Sequence, residues 1–184
     1  NLASEVTTLQ KFVADFAALG RDVRSLELLP LELGDFLRSV AGAAAAHAQP
    51  AGVRLKVQPP AAPVWVRADR YLLERVLLNL LANAIEASPP GATVRLSAAG
   101  DAGQATFAVA DSGVGIEPGR LARLFDAFVS TKPTGAHLGM GLANVKRIVD
   151  AHRGRVSVRS APGKGTTFTI ALAAAPAPAQ PSSS

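Results

Sequence analysis

Arg75-Val-Leu-Leu-Asn79-Leu-Leu-Ala-Asn83-Ala-Ile-Glu86-Ala87 has the apolar content of a buried helix, interrupted by two asparagines four positions apart. Asparagine is a poor helix former, and a buried amide left without partners costs about 1–3 kcal/mol. Helical spacing puts Asn79 and Asn83 on one face with Glu86 a turn further on, while Leu73, Val76, Leu77, Leu80, Leu81, Ala84 and Ile85 cover the rest. A polar stripe on an apolar helix is either a pair of locally bonded amides or the wall of a ligand site.

Outward from this helix, Asp69 is a candidate N-cap, and Val53 to Val57 and Val64 to Val66 read as short strands separated by proline-rich turns. A further helix is expected from about Leu31 to His47, with Leu33, Phe36, Leu37 and Val40 inward, preceded by a linker at 21–30. Downstream, strands at Thr93 to Ala98 and Ala105 to Ala110 are joined through Gly100-Asp-Ala-Gly103, a composition suited to a hairpin. An irregular stretch from Asp111 to His137 follows, then a helix from Gly141 to His152 with Gly154 as its stop. Val156 to Arg159 and Thr167 to Leu172 form a second hairpin across Pro162-Gly-Lys-Gly165. Residues 1–20 carry Leu2, Val6, Leu9, Val13 and Phe16 in alternating steps of four and three, the seam of a bundle helix. Residues 173–184 are Ala, Pro, Gln and Ser and are expected to be disordered.

Two glycine-rich segments flank the asparagine helix in this reading. Asp111-Ser-Gly113-Val-Gly115-Ile116 leaves the sheet at a strand end, which suits an Asx turn and equally a carboxylate that accepts a hydrogen bond from an exocyclic amine. Adenine has such an amine where guanine does not. His137-Leu138-Gly139-Met140-Gly141-Leu142 opens a helix and presents its unpaired N–H groups, a setting that binds phosphate. Lys132 lies in the same loop, so a cation and the Asn83 amide could flank the same phosphates, with magnesium taking oxygen ligands there.

Composition bounds the alternatives. The chain has 184 residues, 48% of them hydrophobic, enough for one domain with a real core and an accessory element. It contains no cysteine, which excludes disulfides and thiolate metal sites. Net charge is +5, but the basic residues are dispersed and aromatics few, so nucleic-acid binding has only weak support, and a polyanionic small ligand explains some of the charge equally well. No apolar run reaches the roughly 18–20 residues of a membrane span, and the chain opens on Asn without a basic-then-apolar leader. A cytoplasmic piece of a longer protein is expected, touching a membrane only through segments upstream.

Asn79-x-x-x-Asn83-Ala, Asp111-x-Gly113-x-Gly115, Phe125-x-x-Phe128, Gly139-x-Gly141-Leu and Gly163-x-Gly165-Thr166 resemble, in order, the N, G1, F, G2 and G3 boxes of the sensor histidine kinase catalytic domain. The resemblance covers residues 31–172, and Asn83-Ala-Ile-Glu-Ala and Phe128-Val-Ser-Thr-Lys132 are similar to the nitrogen-regulation type. It implies an α+β fold, a two-layer sandwich of a mixed sheet with helices on one face, plus the N-terminal bundle helix, and ATP held between the asparagine helix and a mobile lid. In such a fold Asn83 binds Mg2+, Asp111 reads the adenine amine, and Thr166 supports that aspartate. Asn79 lines the phosphate side, Lys132 reaches the terminal phosphates, and Gly139, Met140, Gly141 and Leu142 cradle them. Glu86, Ala87, Gly113, Gly115, Ile116, Phe128 and Leu138 complete the expected nucleotide contacts.

The same fold serves gyrase, heat-shock chaperones and mismatch-repair ATPases, in which a glutamate activates water at the position of Asn79. An amide has no useful basicity, so slow hydrolysis and transfer to an external nucleophile are expected. The family's phosphoacceptor is a histidine followed by an acid on a dimeric hairpin. His47, His137 and His152 have no such context, so residues 1–20 are expected to be only the second helix of that hairpin. The implied partners are a response regulator receiver domain and, in the full-length parent, a second copy. Competing readings are a nucleotide-regulated binding module without transfer and a serine kinase of the same fold.

Overall fold

The computed structural model describes residues 25–101, 103–126 and 141–179. In chain order the elements are β1 (Leu29–Glu32), α1 (Leu33–Ala48), β2 (Arg54–Gln58), β3 (Trp65–Ala68), α2 (Arg70–Ala87), β4 (Thr93–Asp101), β5 (Gln104–Ala110), α3 (Pro118–Leu121), α4 (Gly141–Ala151), β6 (Arg155–Ser160) and β7 (Thr166–Ala175). The strands form one seven-stranded sheet in the order β1-β3-β7-β5-β4-β2, with β6 also paired to β7. β2 and β4 are parallel and the other pairs antiparallel, so the sheet is mixed.

Alternation along the strands decides where the helices go. Val94, Leu96, Ala105, Phe107, Val109, Phe168, Ile170 and Leu172 all point to one face and are buried there, while their neighbours in sequence look outward. α1, α2 and α4 cover the buried face, and Phe36 of α1 meets Phe107 of β5 edge to face at 6.1 Å. α2 lies between α1 and α4 and therefore buries Leu72, Leu73, Val76, Leu77, Leu80, Leu81, Ala84 and Ile85. The side chains left partly accessible on it include Arg75, Asn79, Asn83 and Glu86, which lie along one stripe. The expected two-layer architecture is the observed one. The bundle helix at 1–20 lies outside the described residues, as do residues 21–24 of the linker expected at 21–30, whose last two residues, Leu29 and Pro30, belong to β1.

Asp69 caps α2 as expected, its carboxylate accepting the Leu72 N–H at 3.0 Å. His152, read as a turn residue at the end of α4, also reaches this cap. Its Nδ1 lies 2.8 Å from the Ile148 carbonyl and its Nε2 accepts the Asp69 N–H at 3.0 Å, which requires the neutral ring with its proton on Nδ1. One imidazole thus joins the last turn of α4 to the start of α2.

Several boundaries differ from expectation. The helix expected from Leu31 begins at Leu33, because Leu29–Glu32 pairs antiparallel with β3 and buries Leu31 against the core. Pro30 is tolerated because β1 is an edge strand, and Glu32 caps α1 by accepting N–H bonds from Gly34 and Asp35 at 2.9 and 2.7 Å. β7 continues past Leu172 to Ala175, since Ala174 and Ala175 pair with Val66 and Trp65; three residues assigned to a disordered tail are therefore strand. β4 and β5 reach Asp101 and Gln104, closing a tight hairpin in which Gly103 takes φ +79°. At the end of α4 it is Arg153, with φ 56°, that adopts the left-handed conformation, and the Gly154 N–H bonds the Val149 carbonyl at 2.9 Å. Gly154 is needed for proximity instead: a Cβ there would lie 2.4 Å from Leu172 Cδ2.

Candidate nucleotide site

The asparagines hold each other. Asn83 Nδ2 donates to Asn79 Oδ1 at 3.2 Å, which leaves Asn83 Oδ1 and the Asn79 NH2 group for other partners. The first residue of α4 closes over the pair. A Cβ on Gly141 would lie 2.9 Å from both Asn79 Oδ1 and Nδ2, so glycine lets the N-terminus of α4 approach the amides. Asn79 therefore meets two other expected residues, Asn83 and Gly141, and Leu142 is partly buried against the core.

At the other end of α2 the chain leaves β5 and passes over the helix terminus. A Cβ on Gly113 would stand 2.3 Å from the Ala87 carbonyl oxygen, so the Asp111 loop rests on the last residue of α2. Ala87 is four residues beyond Asn83, about 6 Å along the helix axis. Asp111 Oδ1 accepts the Gly113 N–H at 2.8 Å, making an Asx turn, and the Thr166 N–H at 3.2 Å. The two readings of Asp111 left open by the sequence are thus compatible: the turn uses Oδ1, and Oδ2 is left over. Burial raises the Asp111 pKa above the usual 3.8, and the bonds from Gly113 and Thr166 oppose that rise.

The Asp111 loop is locked to the turn between β6 and β7. Gly115 has φ +74° and a Cβ on it would sit 1.9 Å from the Ala161 carbonyl oxygen; Gly165 has φ +75° and the equivalent clash, 2.1 Å, with the Asp111 carbonyl oxygen. Thr166 does support Asp111, but through its backbone, which also accepts the Asp111 N–H at 2.9 Å; its hydroxyl is 2.9 Å from Ser160 Oγ. Ser160 was missed by a reading that ended β6 at Arg159. Its hydroxyl accepts the Ile116 N–H at 2.9 Å, so it bridges both loops. Nothing in the local sequence marks a serine at a strand end as such a bridge.

Glu86 is exposed on the same stripe of α2. Phe125 packs edge to face on Phe168 at 6.4 Å, anchoring the start of the segment beyond α3 to the core. Phe128, Lys132, Leu138, Gly139 and Met140 lie outside the described residues. A shallow cavity of about 300 Å3 on the open face of the sheet, between Gln58, Ser97, Ala99, Thr106 and Ala108, has no ionisable side chain in its lining and plays no part in this site.

Residues 68–176, which contain both asparagines, Asp111 and Thr166, match the family described as Histidine kinase-, DNA gyrase B-, and HSP90-like ATPase. The chain belongs to this ATPase family. Within it, the chain is 36% identical over 160 residues to the sensor protein DivL of Caulobacter vibrioides, covering 87% of this chain and 20% of DivL. It is 39% identical over 155 residues to the C4-dicarboxylate transport sensor protein DctS of Rhodobacter capsulatus, covering 81% of this chain and 23% of DctS. Full-length ShkA solved in complex with AMPPNP superposes with a TM-score of 0.79 at 32% identity, over 96% of this chain and 37% of that one. The mycobacterial sensor histidine kinase MprB superposes with a TM-score of 0.71 at 28% identity, over 82% of this chain and 99% of that one. Within the ATPase family the chain is thus similar to the ATP-binding catalytic part of sensor histidine kinases. It spans less than a quarter of the length of DivL and DctS. No helix among the described residues is long and apolar enough to cross a membrane.

Proposed function

We propose that this chain binds Mg-ATP along the polar stripe of α2 and transfers the terminal phosphate to a histidine on a dimerisation hairpin, from which a response regulator receiver domain takes it. The observation that carries the reading is that one helix has Asn79 and Asn83 under the N-terminus of α4 and, a turn away, the Asp111 loop resting on Ala87. Phosphates at the first end and adenine at the second would span that length. Asp111 suits the base: its Oδ1 is occupied by two N–H donors, which leaves an ionised Oδ2 to accept from an exocyclic amine.

Asn83 Oδ1 is an oxygen ligand of the type magnesium takes. Among the described residues no group of three or more His, Asp or Glu side chains could hold a metal, so the nucleotide's own oxygens would supply most of the remaining shell. When bound, magnesium neutralises charge on the phosphates during in-line transfer. Asn79 orients and cannot deprotonate water, which favours transfer to a positioned histidine over hydrolysis. Lys132, from the resemblance, adds a second positive charge at the terminal phosphates. The parent protein would work as a homodimer on the cytoplasmic side, and the similarity of Asn83-Ala-Ile-Glu-Ala to the nitrogen-regulation type supports a kinase of that kind.

A calorimetric titration of the chain with ADP and ATP, with and without magnesium, tests this reading. Saturable binding that strengthens with magnesium is expected. Absence of adenine-nucleotide binding under both conditions would refute it.

A further inference from the structure

Ser160 ends β6 and has its hydroxyl between three polar groups at hydrogen-bond distance. It accepts the Ile116 N–H at 2.9 Å, lies 2.9 Å from the Gly165 carbonyl oxygen, and lies 2.9 Å from Thr166 Oγ1. A serine hydroxyl has one proton and two lone pairs. The carbonyl can only accept, so the Ser160 proton goes to Gly165; Thr166 then donates to Ser160, and every group is satisfied. Thr166 is 6% exposed, and no buried side-chain polar atom among the described residues lacks a partner.

The Gly165 carbonyl and the Thr166 N–H are the two ends of one peptide unit. One end receives the Ser160 proton; the other donates to Asp111 Oδ1. Ser160 therefore orients the peptide that orients the carboxylate, and hydrogen bonds chained through a peptide polarise one another in the same sense. Its third contact, with Ile116, holds the far side of the Asp111 loop, and the Gly163 N–H bonds the Val114 carbonyl at 2.8 Å to complete the seam.

We propose that Ser160 is a positioning residue for base selection: through the Gly165–Thr166 peptide it sets the direction of Asp111 Oδ2, and so the preference for a base with an exocyclic amine. This rests on the adenine reading of Asp111. A residue needed only for folding would weaken all nucleotides alike when altered, whereas one that aims Oδ2 would weaken those that offer the amine.

The test is calorimetric titration of the full chain with ADP and with inosine diphosphate, which has a carbonyl in place of the amine. The unaltered chain is expected to prefer ADP. Ser160→Ala should weaken ADP about tenfold and inosine diphosphate about twofold or less, as befits loss of one aligned hydrogen bond. Ser160→Thr, which keeps the hydroxyl, should retain the preference. If Ser160→Ala does not fold, Ser160→Cys, a weaker donor, should show a partial loss of preference. An ADP preference unchanged in the alanine or cysteine variant, including a parallel fall of both affinities, overturns the role of Ser160 alone. No preference in the unaltered chain overturns the adenine reading of Asp111 and this inference with it.

Discussion

Replacing Asp111 by Asn separates recognition from folding. The asparagine carbonyl can still accept the Gly113 and Thr166 N–H bonds, now 2.8 and 3.2 Å to Asp111 Oδ1, so the Asx turn survives. What changes is the other position, where an NH2 donor replaces an ionised acceptor and meets the donor amine of the base. A hydrogen bond to a charged partner contributes about 1.5–3 kcal/mol, so a loss of about 2 kcal/mol is expected, or ~30-fold in ADP affinity. Folding should change little, because burial raises the Asp111 pKa and the neutral amide escapes that penalty while it accepts the same two bonds more weakly. The pH dependence follows with opposite signs. Because the folded pKa lies above 3.8, the group's contribution to folding is full below 3.8 and is lost as pH rises through the folded value. Its contribution to adenine binding is present above the folded value and lost below it. Calorimetry at neutral pH and across the acid range, alongside thermal melts, reads both. ADP affinity of Asp111→Asn within threefold of the unaltered chain at neutral pH, or an acid-side fall in affinity that persists in the variant, would refute the assignment.

Asn83→Ala should remove most of the magnesium enhancement of ATP affinity while ADP binding without metal changes little; an enhancement of unaltered size in paired titrations would exclude Asn83 as a ligand. Gly165→Ala should destabilise the fold by more than about 2 kcal/mol in urea unfolding, since its Cβ would lie 2.1 Å from the Asp111 carbonyl oxygen at φ +75°. Gly163→Ala, with φ +71° and no heavy atom within 4 Å, should cost about 1 kcal/mol, and equal losses would show that contact with the Asp111 loop is unimportant. Incubation with radiolabelled ATP should leave the chain unlabelled and should label a complete dimerisation hairpin supplied in trans; acid-labile, base-stable label on this chain would contradict the absence of a phosphoacceptor.

What the sequence disclosed and what it concealed divide along the range of the interactions. The asparagine helix was legible because its information is local: a 3.6-residue apolar period, a capping aspartate one residue ahead, and two amides whose spacing alone puts them on one face. The glycine pairs were legible as sites of close approach, although what they approach, Ala87, Ala161 and Asp111 itself, comes from segments far apart in the chain. β1 was not legible, because Leu-Pro-Leu-Glu has no strand signal of its own and becomes a strand only by pairing with β3. The same holds for the alanines that end β7. Ser160 is the extreme case, since its bonds to Ile116 and Gly165 exist only once the two loops meet. The sequence thus displays the groups that would touch a nucleotide, which must be chemically distinctive, while the groups that aim them are ordinary residues made specific by the fold. Changes in base selectivity are accordingly expected at positions such as Ser160 that no motif marks.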